Sequence, residues 1–523
     1  MKKLLLFGLV LVMILASACG DTVPPESAVT TADRIEETDP TSGDARLVML
    51  TVDGIPVPDF SPEKTEYSLR VDNAGAMAIE AILAQEGAVV AIAQEGAAAT
   101  VTVTSKDGRN QRVYTVNACV DLDSRVVNKN GANATVTYVI DDGDKNTAIF
   151  VIKEMGAKYP SLAASFALVT QDLGNFKTAE GEDGVLEYLK DEQGNYLYSK
   201  NNANWNFWEK MLYKYGRDGF EAVSHSHTHK YWGESDEGGV FPMRLSNGQT
   251  VNSEPFPRGN VSKEFLGSNQ LIRELGQRAL VFVRPGLTHE GKGVTAAPGF
   301  WDNMQNSGAF IAARGSYTQP DKPETMLNEF TAFGDVDARF FLKSYMVQHY
   351  GTSAGVKTEQ GKSTPEQCLA AGIDYWTNYI DTAVEQNAWA AFCIHTVRPD
   401  DHVGSGHYIF ESQAEELFAY TEQLSAENKV WVANLTDAFL YAIEWSTAEV
   451  SAYQEGNDRV VVALSCRETA EIYREPLTVR VRLPEGKIGA VLDGRALTVK
   501  TEEGMVYAYL NLIPGSQAVI DVQ

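Results

Sequence analysis

Between Thr135 and Trp445 short apolar runs alternate with segments of helical pattern, and this alternation constrains the fold more than any other feature of the chain. TVTYVIDD is followed by NTAIFVIKEMG and then ASFALVT, and later VSKEFLGSNQLIRELG is followed by ALVFVRPG. Strands that alternate with helices form largely parallel sheets, either open or closed into a barrel. The sequence therefore predicts a central α/β domain.

Two β-rich segments flank this region. Residues 46–118 include LVMLTVDG and TVTVTSKDG, and residues 453–523 include DRVVVALSC and LTVRVRLP, with alternating polarity and turn signals between the runs. A chain of 523 residues is also too long for one hydrophobic core. We predict a multidomain protein with an α/β domain at 130–447 and two small all-β domains at 46–118 and 453–523.

The N-terminus has the pattern of an export signal. Residues 1–18 combine a basic start, an apolar run and small residues before Cys19. The stretch ASAC resembles the lipobox of bacterial lipoproteins, which implies cleavage before Cys19 and a lipid on that cysteine; the alternative is an ordinary secretory signal. Residues 19–45 are polar and contain prolines, which predicts a flexible tether. We expect an extracytoplasmic protein, lipid-anchored to a bacterial membrane or cell surface.

The charge balance restricts the partners. The chain has 44 Lys plus Arg against 70 Asp plus Glu, a net charge of −26, and no dense basic cluster. A protein that binds nucleic acid neutralises phosphates with such clusters, so we expect no nucleic-acid partner. An extended ligand should be neutral or cationic, and carbohydrate fits that restriction.

Two stretches carry residues suited to catalysis. In the first, Asp141 and Asp142 directly follow the apolar run VTYVI, at the end of a strand where α/β folds build their ligand sites. One carboxylate can bind a cation while the other acts as a base; the alternative is a loop that caps the next helix. For Asp144, three residues before Thr147, we predict the capping role.

The second stretch is SHSHTH, which holds His225, His227 and His229. In a strand the three rings would share one face, whereas a helical turn would bring only His225 and His229 together. Imidazoles and carboxylates are ordinary ligands of zinc and related ions. Together with the aspartate pair, this stretch predicts a divalent metal site.

The order of these motifs resembles the NodB-homology polysaccharide deacetylases, the fourth family of carbohydrate esterases. VTYVIDDGDKNTAIFVIKEMG is similar to that family's strand, T-F-D-D-G turn and helix, GFEAVSHSHTH to its G-x-E-I-x-x-H-x-x-x-H motif, and WAAFCIHTV to its late strand ending in a histidine. The resemblance implies a distorted (β/α) barrel that removes acetyl groups, N- or O-linked, from an acetylated polysaccharide or oligosaccharide. The alternative is a catalytically inactive carbohydrate-binding or adhesive surface lipoprotein.

The resemblance also implies the roles of individual residues. Asp142, His225 and His229 match the metal ligands, Asp141 the catalytic base and His395 the general acid. The metal would be zinc, with cobalt, nickel and manganese as further candidates. His227 falls between the ligands and is not expected to coordinate.

Two family motifs are altered in this chain. The family's R-x-P-x-G arginine pairs with the base; here VRPGL makes Arg284 and the proline contiguous, and we predict that Arg284 takes this role, the alternative being a surface arginine. The family's D-x-x-D-W stretch has no clear counterpart, which leaves Trp301, Tyr317 and Trp376 as candidates for the wall of the acetyl pocket or for core packing.

The first β-rich segment has a resemblance of its own. LTVDGIPVPDFSPEKTEYSLRV and TSKDGRNQRVYTV are similar to the cadherin-like β-sandwich domains of bacterial surface proteins. Such domains act as spacers or adhesive units, and we expect residues 46–118 to be a spacer.

Overall fold

A computed structural model describes residues 43–71, 76–229, 242–244, 250–252, 257–285, 300–318, 323–347, 349–352, 355–357, 366, 369, 373–402, 406–468 and 470–523. The predicted signal peptide, Cys19 and almost all of the predicted tether lie outside these residues. Clustering of contacts gives two compact units, the first from residues up to 125, 449–465 and 479–523, the second from 126–448 and 466–478. Within the described part of the chain, no helix has the length and apolarity needed to cross a membrane.

A closed barrel of seven parallel strands forms the centre of the second unit. Its strands are β1 (Ala134–Ile140), β2 (Ala164–Leu168), β3 (Phe220–Ser224), β4 (Val281–Val283), β5 (Ala312–Thr318), β6 (Leu342–Met346) and β7 (Trp389–Ile394). Each strand pairs with the next one along the chain, and β7 pairs with β1 to close the ring. The predicted parallel α/β domain is confirmed, in its barrel form.

The barrel is distorted at β1. A short strand β8 (Val430–Ala433) pairs with residues 134–137 of β1, whereas β2 pairs with residues 139–140. All seven residues of β1 are buried, as expected for a parallel strand covered on both faces. The ring therefore has seven strands at its C-terminal end, with a partial eighth strand at the other end.

Helices follow most of the barrel strands and cover the outside. They are Lys145–Ala148 continued by Ile149–Met155 and Gly156–Lys158, Asn202–Glu209 continued by Lys210–Tyr215, Asn260–Ser262 continued by Lys263–Gly267 and Ser268–Glu274, Phe300–Ser307, Asp374–Gln386, Glu411–Ala426 and Leu435–Thr447. The side chain of Asp144 caps the first of them, accepting the Thr147 N–H at 2.8 Å, so the predicted cap is confirmed. In the core, the Tyr138 ring of β1 stacks on Phe392 of β7, with centroids 5.4 Å apart.

The second unit also contains short strands outside the barrel. They are Gly174–Phe176, Thr178–Glu180, Leu186–Tyr188, Tyr198–Lys200, Pro242–Arg244, Thr250–Asn252, His349–Thr352, Gly355–Lys357, Thr396–Arg398 and Gly406–Phe410. The first four form two antiparallel pairs in the segment between β2 and the next helix.

The first unit consists of β-sheets. Its largest sheet has nine strands, Arg495–Ala496, Ala490–Leu492, Gln517–Val522, Arg459–Cys466, Ala448–Glu455, Gln111–Asp121, Ala98–Thr104 and Val89–Glu95 in that order, with Glu66–Arg70 pairing with Gln111–Asp121. A three-stranded sheet contains Leu47–Val52, Ile55–Pro56 and Ile79–Leu83, and a four-stranded sheet contains Thr498–Glu502, Met505–Leu512, Leu477–Arg482 and Ser124–Val127.

The two β-rich segments are joined in this unit. Tyr453 pairs with Asp121 and Glu455 with Cys119, so the strand that follows the barrel lies antiparallel beside the strand that precedes it. The sequence assigns residues 46–118 and 453–523 to separate domains, whereas the structure places strands of both in one sheet. Residues 466–478, inside the second predicted domain, belong to the barrel unit.

Candidate metal centre

Polar side chains converge at the C-terminal end of the barrel. Asp141 and Asp142 directly follow β1, His225 follows β3, and His395 follows β7. Arg314 lies in β5 with its side chain fully buried. The carboxyl ends of parallel strands meet at one end of a barrel, so residues far apart in the sequence form one site there.

Asp142, His225 and His229 form a group that can hold one metal ion. Asp142 Oδ1 is 3.5 Å from His225 Nε2 and 3.2 Å from His229 Nε2, and the three ligand atoms all lie within 4.8 Å of one another. Oxygen and nitrogen ligands about 2.0–2.2 Å from a tetrahedral zinc ion are about 3.3–3.5 Å apart. The observed spacing therefore fits one ion, with a coordination position left for water or substrate.

A hydrogen bond from the ring of His225 to the backbone is consistent with metal binding by this residue. Its Nδ1 lies 2.8 Å from the carbonyl oxygen of Val283, the last residue of β4. A carbonyl can only accept, so Nδ1 carries a proton, and the nitrogen that a metal would bind is Nε2. That nitrogen is the one that faces Asp142.

The backbone of the site is strained. Asp142, Ser226 and His229 have φ angles of 68°, 63° and 55°, in the left-handed region that side-chain-bearing residues avoid. Each costs on the order of 1 kcal/mol or more, which the surrounding contacts must offset. One such contact is the His229 N–H, which donates to Ser226 Oγ at 3.0 Å. Left-handed residues at both sides of the ligand group are typical of a functional site.

His227 turns away from the ligand group. Its ring packs on Phe176 with centroids 4.4 Å apart, and its Nδ1 lies 3.2 Å from Thr170 Oγ1. Burial lowers the pKa of His227 to about 3, so the ring is neutral. His225 and His229 therefore meet while His227 points away, as expected for the second arrangement considered from the sequence, but a left-handed turn at Ser226 produces this grouping.

Asp141 is paired with Arg314. The guanidinium donates from both terminal nitrogens to the two carboxylate oxygens, at 2.9 and 2.7 Å, and the side chains are 1% and 0% exposed. Burial raises the pKa of Asp141, but the opposing effect of the Arg314 guanidinium helps to outweigh it, and the pKa lies below its ordinary value. Asp141 is therefore an ionised carboxylate with a fixed orientation.

This pair corrects the prediction for Arg284. The sequence assigns the arginine that pairs with Asp141 to Arg284, at the end of β4, whereas the structure assigns it to Arg314 on the neighbouring strand β5. Arg284 is itself buried, and its backbone N–H donates to the Arg314 carbonyl at 3.1 Å. It is therefore not a surface arginine either. The physical reason is position: Arg314 lies within β5, from which its side chain reaches the Asp141 carboxylate, whereas Arg284 comes after the last residue of β4.

His395 completes the cluster. Its ring, the thiol of Cys393 and the Asp141 carboxylate offer ligand atoms within 4.8 Å of one another. Burial lowers the pKa of His395, the carboxylates of Asp141 and Asp142 oppose this, and the net pKa is below its ordinary value. The ring is therefore neutral in the resting site.

Of the three candidates for the wall of the acetyl pocket, the structure describes the side chain of one. Trp376 is buried in the hydrophobic core between barrel and helices, which supports the core-packing alternative. The side chains of Trp301 and Tyr317 lie outside the described part of the structure.

Comparisons with known proteins give little further information. No family model and no curated protein matches the chain. Among solved structures, the catalytic domain of GH30 xylanase C from Talaromyces cellulolyticus is 8% identical, with 76% of this chain and 99% of that chain covered and a TM-score of 0.27. A cyclomaltodextrinase is 8% identical, with coverages of 92% and 95% and a TM-score of 0.27. Endo-glycoceramidase II from Rhodococcus sp. is 9% identical, with coverages of 77% and 99% and a TM-score of 0.21. TM-scores this low carry no argument about function.

Proposed function

We propose that the protein is a metal-dependent hydrolase that removes N- or O-linked acetyl groups from a polysaccharide or oligosaccharide, as its resemblance to the NodB-homology deacetylases implies. The observation that carries this proposal is the group of Asp142, His225 and His229 at zinc-like spacing, with the ionised Asp141 beside it. A divalent cation held there would polarise the acetyl carbonyl and lower the pKa of a water molecule. Zinc is the first candidate, and cobalt, nickel and manganese are the others.

Asp141 is the base of the proposed reaction. Its Oδ2 lies 3.9 Å from His225 Nε2, next to the ligand group, and Arg314 keeps the carboxylate ionised and oriented. As water attacks the acetyl carbon, this carboxylate accepts the proton of the water. The two hydrogen bonds from Arg314 hold the carboxylate in place during this step.

His395 is the proposed proton donor to the leaving atom. A neutral imidazole cannot donate to an amine or sugar oxygen, so the ring must first gain a proton during the cycle. Asp141 lies in the same cluster, and the proton that it takes from water is the nearest source. Transfer from Asp141 to His395 and on to the leaving nitrogen or oxygen balances the reaction, giving acetate and a deacetylated sugar.

The substrate and location follow from charge and sequence. A chain with net charge −26 repels polyanions, which favours neutral or partly cationic sugars such as a polymer that gains free amines on deacetylation. We further propose an extracytoplasmic enzyme anchored through a lipid on Cys19, with the cadherin-like segment as spacer.

The test measures metal content and acetate release in the same preparations. The purified protein should contain about one divalent ion per chain and release acetate from members of a panel of acetylated oligosaccharides. His225→Ala should lose both, whereas Asp141→Asn should keep its metal and lose turnover. Asp121→Asn, a matched change of an exposed carboxylate in the first unit, should keep both.

Each failure has a separate meaning. A protein that binds no divalent ion under metal-replete conditions would contradict the metal-dependent mechanism. A protein that binds the ion and the oligosaccharide without releasing acetate would favour the inactive carbohydrate-binding alternative.

A further inference from the structure

Glu264 contacts the loop that carries the metal-binding histidines. It lies in the helical segment Lys263–Gly267 and its side chain is 1% exposed. Its Oε2 accepts the backbone N–H groups of His227 at 3.0 Å and Thr228 at 2.8 Å, and its Oε1 accepts the Thr228 hydroxyl at 2.8 Å. All three bonds go to residues between His225 and His229.

A buried, ionised carboxylate needs hydrogen-bond donors and an opposite charge nearby. An ionised carboxylate without compensation costs several kcal/mol when it is removed from water. Lys263, also buried, supplies the opposite charge, with Nζ 2.8 Å from Glu264 Oε1. Burial raises the pKa of Glu264, but the charge of Lys263 and the loop hydrogen bonds oppose this and the pKa is lowered. Glu264 is therefore a buried anion, held by the lysine beside it and by the loop.

The loop is shaped to receive this anion. Ser226 has φ of 63°, and the turn that it makes directs the next two N–H groups to a single oxygen. Successive N–H groups around a left-handed residue form a concave anion-binding site. The same turn sends the His227 ring to Phe176 and leaves His225 and His229 on the side of Asp142.

We propose that Glu264 is a positioning residue for the metal centre: its carboxylate fixes the turn at residues 226–228 and so holds His225 and His229 in coordinating geometry. This inference rests on the proposed metal site. Glu264 does not touch the metal or the substrate, and it acts on the metal through the backbone of the loop. Partners of this kind typically change metal affinity by 10- to 100-fold when they are removed.

The experiment measures Co²⁺ binding, because the visible absorption of Co²⁺ reports the geometry of its ligands as well as occupancy. In Glu264→Gln the side chain keeps its shape, but an NH₂ group replaces one acceptor and opposes the loop donors. We expect its dissociation constant for Co²⁺ to rise about 10- to 100-fold, with an altered absorption band. Thr228→Val removes only one hydroxyl donor and should raise the constant by a smaller factor, about 3- to 10-fold.

Glu444→Gln is the matched control, because Glu444 is also a fully buried glutamate but lies on the helix Leu435–Thr447. It should bind Co²⁺ as the unsubstituted protein does. Thermal unfolding of each metal-free protein separates loss of fold from loss of affinity, and Thr228→Val serves if Glu264→Gln does not fold.

The outcomes distinguish this inference from the proposed function. If the unsubstituted protein binds Co²⁺ and both loop variants bind it with the same constant and spectrum, Glu264 has no positioning role and the metal site stands. If the unsubstituted protein binds no Co²⁺, the proposed function and this inference fail together.

Discussion

At the scale of single residues, the burial of Asp141 and of Arg314 depends on the ion pair between them. Both are withdrawn from water and joined by two hydrogen bonds. Breaking a buried ion pair by removing one partner typically costs about 3–5 kcal/mol, because the remaining charge is left without compensation. Replacing both partners by apolar groups costs much less.

Arg314→Leu should therefore lower the free energy of unfolding by about 3–5 kcal/mol, measured by urea denaturation. The double variant with Asp141→Leu should recover most of this loss and still release no acetate. Arg70→Leu, which breaks an exposed pair with Asp121, should cost less than about 1 kcal/mol. A loss of 1 kcal/mol or less in Arg314→Leu would show that the buried pair is not structural.

The sequence predicts the positions of most site residues but not of Arg314. Asp141, His225 and His395 each end their own apolar run, which is a local pattern visible in one stretch of the chain. The role of Arg314 depends on a non-local fact, that β5 faces Asp141 across the barrel. The sequence offers one signal, since Arg314 is a charged residue that directly follows the apolar run FIAA, as Asp141 follows VTYVI.

Glu444 gives the folded state a pH dependence. Burial raises its pKa to about 7, the Glu475 carboxylate adds to the rise, and among the described residues its Oε2 has no hydrogen-bond partner. Between about pH 4.5 and 7 the folded protein keeps this proton while the unfolded chain loses it. The contribution to stability is therefore fully present below pH 4.5 and is lost as the pH rises to 7.

Glu444→Gln should remove this dependence. We expect the variant to gain on the order of 1–2 kcal/mol relative to the unsubstituted protein at pH 7, and little at pH 4.5, by denaturant unfolding at each pH. Glu449→Gln, at an exposed position on the strand Ala448–Glu455, should follow the unsubstituted curve. An equal effect of Glu444→Gln at both pH values would contradict a raised pKa.

At the scale of elements, the helix after β1 depends on its cap. Asp144 accepts the Thr147 N–H and hydroxyl, and Arg398 contacts its carboxylate at 3.2 Å. Asp144→Ala should lower stability by about 1–2 kcal/mol, while Asp144→Asn, which also caps, should lose a few tenths. Differential scanning calorimetry measures both. Equal losses in the two variants would assign the effect to the charge on Asp144 rather than to capping.

The alternation of strands and helices does not by itself predict that the barrel closes. Alternating strands and helices predict parallel strands, and the open or closed form depends on whether the last strand reaches the first. Here β7 pairs with one edge of β1. The other edge of β1 pairs with β8 over residues 134–137 and with β2 over residues 139–140. Such a division depends on strand lengths and register, which no single segment of the chain encodes.

At the scale of the whole molecule, the chain cannot be cut at its predicted domain boundaries. Of the nine strands in the large sheet of the first unit, five follow residue 447. Residues 466–478 also belong to the barrel unit, where Glu468 pairs with Arg339 at 2.7 Å and the Glu475 N–H bonds to Glu444.

A chain of residues 43–447 should therefore be less stable than residues 43–523 in both units. We expect aggregation on size-exclusion chromatography and loss of cooperative thermal unfolding, because the large sheet loses five of its nine strands and residues 119–121 of the strand Gln111–Asp121 lose their partners. A monomeric fragment that melts within a few degrees of the longer chain would show that residues 453–523 are a separate domain after all. The sequence could not indicate this dependence, since strand pairing between distant segments leaves no local pattern.

The pairing of Tyr453 with Asp121 also sets the order in which the chain can mature. Synthesis proceeds from the N-terminus, so the strands up to Asp121 are made first, and residues 119–121 lack their partners in Tyr453–Glu455 until the whole barrel has been made. Contacts that close such long loops form late and leave intermediates prone to aggregation. The barrel is therefore synthesised before the large sheet of the first unit is complete, and a nascent chain that stops at residue 447 lacks five of the nine strands of that sheet.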